Sequence, residues 1–508
     1  MEKGRQDKLQ RVQGHRSSKG CQTCKHPNPP PTPTKFVAFT LTKTPAPALQ
    51  LPPYERRTLH HFQSRTLHQI QGPFKSDFWS VIVPQLVQHD AIVRYAVFAL
   101  SQMHEHYLDQ AFAVSSSINY ALHYYQKALR QIVRLKSPDA SFDSILIACM
   151  VFCVFESLRG GFDEATQHAV AGVNIIASRK SAGSSRDSTS AISNDILLQL
   201  CLLLQGQVME ANSDEYRTWH PDLLKNLDVI PATFASVEHA LPYLQIISYQ
   251  VIHLFDIAET HHKTETWIPS SVSPMLLAEY TTLRTNFDAW SRAASQIESI
   301  VRNESGDQYQ GYLILQIFRA SLKIDLEVFV HGETVYDDFK ADNFGILKLV
   351  EVLFQVQGGS DRPRDPISPQ TGAYSLSRAA APFTFTSTLG IVSLLFEIAT
   401  RTNDSMLRNE ALQLMRLSNR REGIWDSRVA ALLAEKVVLL KQRGNAAAEE
   451  DQHSGFRFIV TDIQLLSDQK CKLTYGFKRN QPGTFKSFWL ESIAPEEGSL
   501  QTEVIEIS

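Results

Sequence analysis

The chain has 508 residues, 43% of them hydrophobic and 20% charged, with a formal net charge of -3. That balance describes a globular protein with a sizeable core, and it excludes a chain-wide field for nucleic acid or acidic membrane, so any basic function is local. The longest apolar run, Ile145 to Phe155, is far shorter than the roughly 20 residues that cross a bilayer, so no membrane partner is predicted.

Residues 1–25 carry seven Lys or Arg against Glu2 and Asp7 and almost no apolar side chains. Such an arm cannot offset its ordering entropy, so it is expected to be disordered unless metal or a polyanion orders it. Within it, RSSKGCQTCKH places Cys21 and Cys24 at C-x-x-C spacing beside Arg16, Lys19 and Lys25. Two thiols so spaced supply half of a tetrahedral zinc site or a redox pair. Redox pairs sit at the start of a helix in a βα context, which this segment lacks, whereas adjacent cations both lower thiol pKa values and suit a phosphate backbone. The zinc reading, with Cys21 and Cys24 as metal ligands and Arg16, Lys19 and Lys25 as DNA contacts, is therefore carried forward beside the accidental one.

From residue 26 to 53 there are nine prolines, which remove backbone donors and fix φ, and this predicts a semi-extended linker. The body, 54–443, reads as consecutive helices. Leu59, Phe62, Leu67 and Ile70 form an approximate stripe stopped by Gly72-Pro73, and helical blocks follow at 74–88, 91–108 and 116–135. Around Gly160-Gly161 two helices form a hairpin, with Ala165, Ala169, Val173 and Ile176 inward. Further blocks are expected over 194–212, 241–260, 275–303, 310–331, 341–357, 388–417 and 424–443. Exposed loops are expected over 181–193 and 358–372. In the C-terminal segment, 444–508, FRFIVTDIQLL and CKLTYGFK have strand composition and predict a short β-hairpin before an acidic tail. The fold class is all-α, a large irregular helical bundle or solenoid, with no fixed-period repeat.

No catalytic signature appears, which points to a protein that is not an enzyme. His104-Glu105-His106 cannot chelate, because adjacent helical positions diverge by about 100 degrees, and it reads as a solvated helix end. Asp256 and Glu397 read as polar helix edges, and Asp325 and Glu327 as exposed or paired charges. Cys149, Cys153 and Cys201 read as small core hydrophobes. Six cysteines in so long a chain do not form a disulfide framework, which predicts a reducing compartment.

The segment KGCQTCK resembles the first half of the fungal binuclear zinc-cluster DNA-binding domain, and the body resembles the fungal-specific transcription factor domain that accompanies it. The matching stretches include the run from Glu55 to Tyr107, YYQKALRQIVRL, LIACMVFCVFESLRGGFDEATQHAVAGVNII and NRREGIWDSRVAALLAEKVV, spanning about 54–443. The resemblance implies a nuclear, sequence-specific regulator of RNA polymerase II genes in which six cysteines share two zinc ions and the first helix enters the major groove. A homodimer is a further expected partner arrangement. Of the six cluster cysteines only Cys21 and Cys24 are in place, and two thiolates do not close a four-ligand site. Two readings stay open. Either the segment after Lys25 has been replaced in this translation, which the abrupt stop of the motif favours, or the regulator has shed its DNA reader. In the rival class stands an all-α interaction or ligand-sensing protein without DNA contact.

Overall fold

The linker ends by starting a helix. In the computed structural model Pro53 opens α1 (Pro53–His61), where its missing N–H costs nothing because the first turn has no intrahelical acceptor for it. The structure describes residues 50–109, 116–135, 142–181, 192–209, 229–264, 274–301, 306–331, 333–357, 383–387, 390–450, 456–467, 470–479 and 501–506. Of the N-terminal unit, Met1–Gln50, only Gln50 is among them. The expected basic arm, almost all of the proline linker and most of the two expected loops lie outside the described residues.

The uneven stripe of the first helical block has a structural cause. After α1 a π-helical turn runs over Phe62–Thr66, with Leu67 N bonded to Phe62 O, before α2 (Leu67–Gln71). The wider π turn absorbs the five-residue step from Phe62 to Leu67, so Phe62, Leu67 and Ile70 all reach the core. A second π turn, Phe78–Ile82, leads into α3 (Val83–His89), where Pro84 has no N–H to continue an α ladder.

Helix α4 (Ala91–Leu108) follows, capped by Asp90, whose carboxylate accepts from Ile92 N at 2.7 Å and Val93 N at 3.0 Å. Then come α5 (Ser116–Val133) and the hairpin α6 (Phe142–Arg159) and α7 (Phe162–Ser181), broken at Gly160 with φ 81°. As expected, Ala165, Ala169, Val173 and Ile176 are buried, and so are Cys149, Cys153 and Cys201. Helix α8 (Asn194–Met209) completes this first core, which holds Trp79, Phe98, Phe152 and Phe155.

A second core gathers α9 (Val237–Thr264), α10 (Pro274–Ala294), α11 (Ile297–Val301), α12 (Gly306–His331), a 3₁₀ turn (Glu333–Phe339) and α13 (Lys340–Gln357). Trp290 lies at its centre and donates its indole N–H to Ala240 O at 3.0 Å. The block expected as one helix over 388–417 is two, α14 (Val392–Arg401) and α15 (Ser405–Ser418), because Asp404 caps a new start through Met406 N and Leu407 N. Helix α16 (Ser427–Glu450) is the last among the described residues. The all-α class holds for the body, and among the described residues no helix is long and apolar enough to cross a membrane.

Among the described residues two small sheets accompany the helices. In the first, β1 (Thr384–Thr386) runs parallel to β2 (Arg420–Glu422), which turns through Gly423 into antiparallel β3 (Trp425–Asp426). The second contains the expected hairpin, β4 (Phe456–Ser467) with β5 (Lys470–Arg479). The expected acidic tail departs from expectation: Gln501–Glu506 forms β6, antiparallel to β5, because its alternation puts Thr502, Val504 and Glu506 opposite Thr474, Lys472 and Lys470. Cys471 and Leu473 of β5 are thereby fully buried.

Candidate functional site

The residues proposed from sequence as zinc ligands and DNA contacts, Cys21, Cys24, Arg16, Lys19 and Lys25, all lie outside the described residues. The body nevertheless bears on the metal question. The other four cysteines in the chain are Cys149, Cys153, Cys201 and Cys471; none is in a disulfide, and all are buried, three in the helical core and Cys471 on β5. Burial pushes the thiols of Cys149, Cys153 and Cys201 up, Cys149 and Cys201 each to about 12, so they stay protonated and are poor ligands. Buried and held as thiols in the folded body, these four cysteines do not fit the ligand set that a two-zinc cluster needs. Among the described residues no group of three or more His, Cys, Asp or Glu side chains converges as a metal site would.

The feature that stands out is the point where the two cores meet, around the β1–β2–β3 sheet. Asn419, in the left-handed region at φ 43°, ends α15 and turns the chain directly into β2. The three residues of β2 are all charged, Arg420-Arg421-Glu422, and all are buried. Burial of such residues requires partners. Arg421 donates from Nη1 to Ser157 O at 3.1 Å and Leu158 O at 2.9 Å, carbonyls of the last turn of α6. Its Nη2 donates to Asp426 Oδ2 at 3.2 Å, and its guanidinium lies 5.7 Å from the ring centroid of Tyr107. Asp426 Oδ1 accepts from Arg428 N and Val429 N, so one carboxylate caps α16 and also holds the arginine.

Arg420 turns the other way, over Phe354, with Nε 2.7 Å from Glu422 Oε1, while Glu422 Oε2 accepts from Val392 N at the start of α14. The sheet is thus a charged hub. Arg421 reaches into the first core and Arg420 into the second. A third buried arginine, Arg401, holds α14 to α12 through Asp325 at 2.9 Å and lies over Tyr336 at 4.2 Å. Asp325 and Glu397, read from sequence as paired or edge charges, both face it.

On the first-core side of β1 sits a buried histidine. His104 has no exposed surface, which corrects its reading as part of a solvated helix end: the end of α4 is covered by α1 and α2, and only one flank of the His-Glu-His run is wet. Gln69 Oε1 accepts from Phe385 N at 3.1 Å and lies 3.0 Å from His104 Nε2, so Nε2 carries the ring proton. Nδ1 then accepts from Thr66 Oγ1 at 3.0 Å, and Thr66 Oγ1 in turn lies 3.2 Å from His61 Nδ1. Burial lowers the His104 pKa to about 3, keeping the ring neutral.

The sequence reading missed Arg421, Glu422 and Asp426, which lie in the quoted run NRREGIWDS. Two adjacent arginines beside a glutamate look like solvated surface unless one asks why Asn-Arg-Arg-Glu-Gly follows an apolar helix without a break.

The fungal specific transcription factor domain family matches residues 57–332, from α1 to just past the end of α12. The chain is 24% identical over 411 residues to the aspercryptin biosynthesis cluster-specific transcription regulator atnN of Emericella nidulans, a match covering 66% of this chain and 66% of that protein. It therefore spans just under two thirds of that relative's length. No solved structure matches.

Proposed function

The chain belongs to the fungal-specific transcription factor domain family, and from that membership we propose that it regulates transcription in the nucleus, acting on the genes of a biosynthetic cluster. The family match over more than half of the chain carries the reading, and the named role of the relative gives the gene class. In this reading the two-core body is the regulatory part, and the β1–β2–β3 hub fixes one core against the other so that a signal received by either is felt by both. The basic arm is the nucleic-acid-facing part. Arg16, Lys19 and Lys25 contribute phosphate contacts, a sequence-independent attraction that weakens steeply with salt. Assembly of the body as a homodimer is part of the same proposal.

Transcript profiling after deletion and after overexpression of the gene tests the regulatory role. A contiguous set of biosynthetic genes should change together. Unchanged transcripts in both strains would overturn it.

A second reading is favoured by the four buried cysteines: a regulator that works through its helical body without reading DNA itself. Chromatin occupancy separates the two. Occupancy that survives deletion of residues 1–49 supports recruitment through the body, and occupancy lost with them supports contact through the arm.

A further inference from the structure

We draw no further inference here: the strongest candidate, the exposed groove along α10 from Pro274 to Asn286, where Thr281, Thr282 and Thr285 donate their hydroxyls to carbonyls of their own helix and Leu277 is exposed, is an unpartnered apolar face, and nothing among the described residues shows what covers it.

Discussion

Arg421 and Asp426 stand opposite each other in the β2–β3 register and close a buried ion pair at 3.2 Å, with side chains 3% and 4% exposed. The pair is held from both ends. The arginine also satisfies two carbonyls of α6, more than 260 residues away in sequence, and the carboxylate also caps α16.

Replacing Arg421 by Met would remove the ionic partner of Asp426 and the guanidinium donor that Ser157 O and Leu158 O share. Removing one partner of a buried pair costs about 3–5 kcal/mol. Asp426→Asn keeps the capping oxygen while removing the charge, so Arg421→Met/Asp426→Asn should cost clearly less than the sum of the two single changes. Urea unfolding of the four chains measures this, and strictly additive losses would show that the pair is not a unit.

The helical body is legible in the sequence because its apolar residues keep helical spacing over long blocks, and α4 coincides with the apolar segment 91–108. The hub is not legible for a physical reason: strands of two and three residues have no periodicity, and their residues are charged because they neutralise helix ends and one another. The tail strand β6 was hidden in a similar way, since its pairing mixes polar and apolar partners across β5, with Glu506 opposite Lys470, Val504 opposite Lys472 and Glu503 opposite Leu473. His104 was misplaced because the neighbouring His106 and Glu105 are wetter, and covering by α1 and α2 is a tertiary fact.

The π turn at Phe62–Thr66 gives a deletion test. A π turn is in effect one residue inserted into an α-helix. Deleting the exposed Ser64 should restore a regular three-four-three spacing of Leu59, Phe62, Leu67 and Ile70 and cost less than about 1 kcal/mol. Deleting Arg94 from the regular α4 should instead rotate Val97, Ala99 and Leu100 out of the core and abolish cooperative unfolding. Circular dichroism melts of the two deletions decide, and equal damage would contradict the reading of Phe62–Thr66 as an insertion.

Protonation of His104 gives a pH test with a fixed sign. Its folded pKa, about 3, lies below the ordinary value of 6.5, so between those values the unfolded chain binds the extra proton. Stability is therefore complete above about pH 6.5 and falls as the pH is lowered through the window, by about 1.4 kcal/mol per pH unit for one such group. Burial also lowers the pKa of His61, His168 and His253, so they add to the slope with the same sign. Urea midpoints between pH 7.5 and 5 should fall steadily, and His104→Gln should make the fall shallower. An unchanged slope in that variant would remove His104 from the account.

Metal content tests the arm against the body. A structural zinc ion takes four ligands, and the two-ion cluster of the resembling family shares six thiolates. Here two thiols lie in the arm and four are locked in cores, where thiolate formation is opposed by burial. The chain purified with zinc present should hold fewer than two ions per polypeptide. Replacing Cys149, Cys153, Cys201 and Cys471 singly by Ala should leave that content unchanged, whereas Cys21→Ser/Cys24→Ser should remove whatever zinc is bound. Two tightly held ions in the native chain, measured by elemental analysis after extensive dialysis, would mean that ligands other than cysteine complete the site. The arm would then be a reader of a different construction, and DNA binding abolished by chelator would follow from it.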